Sequence, residues 1–244
     1  MWRLALGERE VQVWTVRLEA GEPEYQATWA WLAPDEATRA ARFHFEKHRR
    51  SYVLGRAALR MLLAGYLGPA PAKIRFSYGE KGKPALADPA RRLRFNASNS
   101  GDLAVIAFTE GCELGVDVEY IRRPPPDIEK IAERFFSARE AAELMTLPEA
   151  ERSQGFFNCW TRKEAYIKAV GDGFAVPLAS FRVTLRPGVA AQLLELDGSL
   201  EAARCWTMHD FIPAPEYIGA LAYQDRPRKI VIQQPLTAGE LLQS

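Results

Sequence analysis

Asp102-Leu103-Ala104-Val105-Ile106-Ala107-Phe108 and Tyr217-Ile218-Gly219-Ala220-Leu221-Ala222-Tyr223 are the two stretches on which the fold of this 244-residue chain turns. Each is an apolar strand, and each closes a similar series of helices and a hairpin-like strand pair before a last strand follows. Arg42-Phe43 and Arg134-Phe135 each precede a major helix, and Ile74-Arg75-Phe76 resembles Phe181-Arg182-Val183. A period of about 110 residues is far longer than a solenoid repeat and predicts duplicated α+β halves, with a cleft at their seam. The halves are expected at residues 1–113 and 114–244.

The neighbouring segments fill in that order. Val11-Gln12-Val13-Trp14-Thr15-Val16 alternates like a strand, and Pro34-Asp35-Glu36 starts a helix. Glu46 to about Leu67 is a longer helix, with Tyr52, Leu59, Leu62, Leu63 and Tyr66 for a core face and Gly65 and Gly68 to stop it. Leu93-Arg94-Phe95-Asn96 is a strand that leads into a turn of small polar residues through Gly101. After Pro124-Pro125-Pro126 come a helix from Asp127 to Phe135, one opened by the Ser137 and Glu140 capping box, and one from about Glu151 to Val170 closed by Gly171.

Composition narrows the function. The 32 basic and 31 acidic residues give a net charge of +1, against a chain that coats nucleic acid or an anionic membrane. Cys112, Cys159 and Cys205 have no CxxC or zinc-finger spacing, which fits a reduced, cytoplasmic chain. Charge at Arg3 and Glu8 interrupts any export signal, and no apolar run approaches the roughly 18 residues of a membrane helix. The most basic segment runs from Arg39 through Arg42, Lys47, Arg49, Arg50 and Arg56 to Arg60, with Glu46 its single acid.

Three constellations could carry chemistry. In Gly115-Val116-Asp117-Val118-Glu119-Tyr120 the two-residue period puts Asp117 and Glu119 on one face and the apolar side chains on the other. Such a pair is either the wet face of a strand or a hold for a hard divalent cation, since Mg²⁺ takes carboxylate oxygens and substrate phosphates. Trp160, Lys163, Glu164, Ile167 and Lys168 share one helical stripe. The stripe is either a surface Glu164–Lys168 pair or a set of charges set among buried apolar residues, where charges need partners. Phe95-Asn96-Ala97-Ser98-Asn99-Ser100 and Gly82-Lys83-Pro84 are turns, or donors placed for phosphate and nucleotide.

Taken in chain order, these pieces resemble the Sfp-type 4′-phosphopantetheinyl transferases. The matching motifs are Gly82-Lys83-Pro84, Phe95 to Ser100, Gly115 to Glu119, Arg134-Phe135-Phe136-Ser137 with Glu140, and Trp160 to Lys168 running on to Gly171-Asp172-Gly173. The resemblance covers about Arg39 to Phe181, and more loosely extends to Tyr223. It implies a pseudo-two-fold α+β fold, in one chain acting as a monomer, with the active site between the halves. The activity it implies is transfer of the phosphopantetheine arm of coenzyme A to a serine of an acyl or peptidyl carrier protein, releasing adenosine 3′,5′-bisphosphate. By the same resemblance Asp117, Glu119 and Glu164 would hold Mg²⁺, Glu164 or a water it orients would take the serine proton, and Lys168 would meet the pyrophosphate. Arg39 would contact the 3′-phosphate, the Lys81-Gly82-Lys83-Pro84 turn the adenine nucleotide, and Asn96, Ser98 and Asn99 the phosphate side. The carrier would be acidic and would dock on the helices from Asp127 to Leu147, beginning at Arg134-Phe135-Phe136.

Two rivals stand beside that expectation. A Mg²⁺-dependent nuclease would also use acids and a lysine around a metal, but the neutral charge and the Gly82-Lys83-Pro84 turn count against it. A non-catalytic module binding coenzyme A or a carrier is disfavoured because each expected metal ligand is present. One departure matters: the family pattern has His where this chain has Asn99, which donates a hydrogen bond but carries no charge. Asn99→His is therefore expected to tighten coenzyme A binding at pH 6 relative to pH 8. Equal affinities of the variant across that range, measured by calorimetry, would contradict the assignment.

Overall fold

The computed structural model describes residues 3–122, 124–171 and 176–243, so Asp172 and Gly173 of the last motif lie outside the described residues. The first part of the chain forms β1 (Glu10–Arg17), α1 (Glu22–Thr28), α2 (Pro34–Ala41), α3 (Glu46–Leu67), β2 (Phe76–Tyr78), β3 (Pro84–Leu86), β4 (Leu93–Ser100) and β5 (Leu103–Glu110). The second part forms β6 (Leu114–Tyr120), α4 (Ile128–Phe135), α5 (Ala138–Met145), α6 (Glu149–Val170), β7 (Phe181–Val183), β8 (Leu193–Leu196), α7 (Leu200–Ala203), β9 (Thr207–Phe211) and β10 (Tyr217–Tyr223). After these come β11 (Lys229–Ile232), β12 (Leu236–Thr237) and α8 (Ala238–Gln243).

The duplication is plain in the sheets. β1, β5 and β4 pair antiparallel in that order, and β6, β10 and β9 repeat the arrangement. The hairpins β2–β3 and β7–β8 occupy matching places after α3 and α6. Leu103, Val105 and Ala107 of β5 face Leu221 and Tyr223 of β10 in one core, while Ala104, Ile106 and Phe108 pack on α3. On β10, Ile218, Ala220 and Ala222 pack toward α6. The layers therefore run helix, sheet, sheet, helix. Both apolar runs are continuous because each strand is covered on both faces. Among the described residues, no helix is long and apolar enough to cross a membrane.

Three details depart from the sequence expectations. Gly65 stays inside α3, and only Gly68, at φ +95°, ends the helix; an interior glycine costs about 1 kcal/mol relative to alanine, which packing overrides. β4 does not turn after Asn96 but keeps register with β5 to Ser100, because its polar side chains find partners on β6. The last strands do not finish the second half: β11 and β12 run parallel to β1, and α8 packs in the α3 core. They cover the edge that β1 would otherwise leave unpaired.

Each half also carries the same buried ion pair. Glu36 takes the Ala33 backbone N–H (2.8 Å) and the Arg60 Nε (2.8 Å), while Arg60 donates to the carbonyls of Pro71 (2.9 Å) and Ile74 (3.0 Å). In the second half, Glu140 caps α5 through the Ser137 N–H (2.9 Å) and pairs with Lys163 Nζ (2.8 Å). Lys163 in turn donates to the carbonyls of Leu178 (2.7 Å) and Phe181 (2.5 Å). Lys163 therefore braces α6 against the start of β7 instead of joining the charges of its stripe. Removing one partner of a buried pair leaves the other charge uncompensated, at a cost of about 3–5 kcal/mol. Lys163→Met should lose stability of that order in urea denaturation, and a loss below about 1 kcal/mol would show that the pair is not buried in solution.

Candidate active site

The site grows from the place where the two sheets meet. Successive outward side chains of β4 reach β6: Asn96 Oδ1 accepts the Val116 N–H (2.9 Å), and Ser100 Oγ accepts the Tyr120 N–H (3.1 Å). These bonds satisfy the backbone donors of an edge strand. Ser98 Oγ donates to Asp117 Oδ1 (2.9 Å) and Ser100 Oγ to Glu119 Oε2 (2.9 Å). The carboxylates lie on the β6 face that α6 covers. Lys168 of α6 donates to Asp117 Oδ1 (2.7 Å) and to Ser98 Oγ (2.8 Å), closing a triangle across the seam. Lys168 thus turns to Asp117 and not to Glu164, its neighbour one turn earlier.

A cleft opens in front of this triangle in two lobes. The first, of about 280 Å³, is lined by Lys81, Gly82, Lys83, Pro84, Asn96, Glu164 and Lys168 among others. The second, of about 250 Å³, shares Gly82, Pro84, Asn96 and Ala97 with it and adds Arg39, Tyr52, Arg56, Ser98 and Asn99. All the sequence-selected nucleotide residues therefore meet in one composite space. Lys83 lines the wall, but its ammonium is bonded to Glu113, Leu114 and Ala169.

Asp117 and Glu119 lie behind the cleft wall, Asp117 only 3% exposed. Among the described residues no group of three or more His, Cys, Asp or Glu is gathered as a ready metal cage; Lys168 holds one oxygen of Asp117, and Ser100 one of Glu119. Two other oxygens, Asp117 Oδ2 and Glu164 Oε1, are buried with no hydrogen-bond partner among the described residues. A buried, unpartnered carboxylate oxygen is costly, and a hard divalent cation suits it. The donor set fits such an ion.

Sequence reasoning missed part of the second lobe. The basic segment gives Arg56 no role of its own, yet its side chain is 11% exposed and its Nε lies 3.2 Å from Glu36 Oε1. Arg39 and Arg56 lie 5.3 Å and 5.9 Å from the centre of the Tyr52 ring, and the Tyr52 hydroxyl is buried without a hydrogen-bond partner among the described residues. The available signal was the i, i+4 spacing of Tyr52 and Arg56 on α3; Arg39 comes from α2. The expected docking motif also divides: Phe135 is 37% exposed, whereas Phe136 stacks on Phe156 in the core.

The chain's similarity to known proteins shows its family. A family model described as 4′-phosphopantetheinyl transferase superfamily matches residues 113–222, and one described as 4′-phosphopantetheinyl transferase, N-terminal, matches residues 17–111. The chain is 39% identical over 221 residues to the 4′-phosphopantetheinyl transferase HetI of a Nostoc species, covering 90% of each chain. It is 35% identical over 170 residues to the 4′-phosphopantetheinyl transferase AcpT of Salmonella typhimurium, covering 70% of this chain and 82% of that one. To the 4′-phosphopantetheinyl transferase Sfp of Bacillus subtilis it is 29% identical over 217 residues, covering 84% and 93%. This chain belongs to the 4′-phosphopantetheinyl transferase superfamily and is an enzyme of that class.

The site's acids are not ordinary ones. Glu119 and Glu164 both hold their protons above the usual 4.5, first because they are buried and next because Asp117 is negative beside them; Lys168 opposes the shift in both. The folded chain therefore keeps protons that the unfolded chain has released, and the associated stability is lost as pH rises from 4.5 through the raised values. Glu164→Gln removes one such group. In chelator-containing buffer, the melting temperature of the variant minus that of the wild type should grow as pH rises above 4.5; a difference that is flat or shrinks would contradict the shift.

Proposed function

We propose that the chain transfers the 4′-phosphopantetheine arm of coenzyme A to the serine of an acidic apo carrier protein, with Mg²⁺, releasing adenosine 3′,5′-bisphosphate. One observation carries this reading: Lys168 and Glu164 line the same cleft as the Lys81–Pro84 turn and Asn96, so groups for phosphate chemistry and groups for a nucleotide share one space. The adenine nucleotide would lie on the turn, with its 3′-phosphate in the second lobe against Arg39 and Arg56 and beside Asn99. Ser98 would support the phosphate side through its bond to Lys168.

Asp117, Glu119 and Glu164 would hold the cation, which supplies charge neutralisation at the diphosphate when bound. Lys168 pairs with the diphosphate and stabilises the charge that builds on the leaving phosphate oxygen. The serine Oγ–P bond forms as the P–O bond to the adenosine bisphosphate breaks, and Glu164 takes the serine proton. Without the cation, burial and the neighbouring Asp117 carboxylate raise its proton affinity, the direction that favours a general base. A carboxylate has two oxygens, so Glu164 is able to face both the cation and the hydroxyl.

The carrier would approach over α4 and α5. An apolar groove of about 260 Å³ between Tyr120, Pro125, Ile131, Phe156 and Trp160 has Glu119 in its wall, which supports entry of the serine from that side. Action as a monomer is supported by a cleft completed within one chain, and a cytoplasmic location by three free cysteines.

The direct test incubates apo carriers with coenzyme A and Mg²⁺ and follows the added arm by mass spectrometry. Asp117→Ala and Glu164→Ala should lower transfer at least ~100-fold while circular dichroism stays unchanged. A folded wild type that binds coenzyme A but modifies no carrier would overturn the proposal, and Mg²⁺-dependent nicking of plasmid would favour the nuclease.

A further inference from the structure

Lys83 occupies a point where three elements meet. Its Nζ donates to Glu113 Oε2 (2.9 Å), to the Leu114 carbonyl (3.3 Å) and to the Ala169 carbonyl (3.0 Å). An ammonium has three hydrogens and accepts nothing, so these bonds use its whole donor capacity. Glu113 is itself held by Arg94 Nε at 2.8 Å. Leu114 opens β6 and Ala169 lies in the last turn of α6, where carbonyls lack helical partners and a cation is favoured. The stem of Lys83 packs here too: a Cβ on Gly171, the αL residue that ends α6, would lie 3.3 Å from Lys83 Cδ.

The turn that carries Lys83 is tight, with Gly82 at φ +82° and bonds from Gly82 N to the Gly79 carbonyl (2.8 Å) and from Gly79 N to the Lys83 carbonyl (3.0 Å). Lys83 therefore ties a compact turn to the end of α6, one residue beyond Lys168. We propose that Lys83 is a positioning residue: it fixes the 79–84 turn against the last turn of α6, so that a nucleotide on the turn and the ammonium of Lys168 keep one register. This rests on the function proposed above and revises the role expected for Lys83, since a lysine with all three hydrogens engaged is not a ready phosphate ligand.

The two roles separate in Lys83→Met. As a positioning residue, Lys83 affects the reacting geometry more than nucleotide binding. The variant should lose at least ~10-fold in kcat, within the range that small misplacements of catalytic groups produce. Its Kd for adenosine 3′,5′-bisphosphate, by calorimetry, should change less than about twofold on that same account. Hydrogen exchange should quicken at the amides of Gly79, Gly82 and residues 167–171. Lys83→Arg, whose fork also reaches several acceptors, should recover part of the kcat. If Lys83→Met does not fold, Glu113→Gln removes one acceptor and should shift kcat and exchange in the same direction. A rise in Kd of about tenfold or more, the ~1.4 kcal/mol scale of a charge-assisted contact, with exchange unchanged would make Lys83 a direct ligand and overturn the proposal. So would a variant unchanged in kcat and exchange. Exchange needs no turnover, so it tests the tie even if the wild type transfers nothing; absence of transfer by the wild type counts against the proposed function instead.

Discussion

Residue 115 has no side chain, and the site depends on that. A Cβ there would lie 2.1 Å from the Ala165 carbonyl oxygen and 2.3 Å from the Ala169 nitrogen, inside the backbone of α6. Helix and strand therefore touch main chain to main chain at the point where α6 crosses β6. That contact brings Lys168 to 2.7 Å from Asp117, two residues along the strand. Any larger residue would lift the helix and open the triangle of Ser98, Asp117 and Lys168. A close helix–strand crossing thus has a chemical result: charges from two elements share a small, mostly dry space, where their interactions are stronger than in water.

The duplicated fold provides the rest. Each half anchors its long helix with a buried glutamate and a buried cation, Glu36 with Arg60 and Glu140 with Lys163. Such pairs contribute little net stability, but an alternative packing would leave a charge buried alone. With both long helices fixed, the seam between the sheets is fixed as well. β4 then serves the second half with its polar side chains, and a single cleft draws on both copies. The halves have diverged at this seam: the first supplies arginines and a glycine turn, the second carboxylates and Lys168.

Much of this was legible in the sequence, for particular reasons. Leu103–Phe108 and Tyr217–Tyr223 announced the central strands, because burial on both faces leaves no polar positions. The two-residue period placed Asp117 and Glu119 on one face correctly, and the capping box at Ser137 and Glu140 was read directly. The length of β4 was not legible: Asn, Ser and Gly are turn formers, and only the backbone donors of β6, distant in sequence, explain why they extend. Nor did the helical stripe show that Lys163 turns away from Glu164 to an ion pair with Glu140, or that Arg56 lies against Glu36. Such roles depend on partners more than 19 residues away, as the Arg56–Glu36 contact illustrates, and periodicity is silent about them.

One composite cleft is shared by both halves and depends on the contact at Gly115. A crystal structure of the protein with coenzyme A and Mg²⁺ tests this most directly. The nucleotide should span both lobes, with its 3′-phosphate beside Arg39 and Arg56 and its diphosphate within hydrogen-bond reach of Lys168. A nucleotide bound to one half alone, touching neither the Gly82–Pro84 turn nor Lys168, would contradict it.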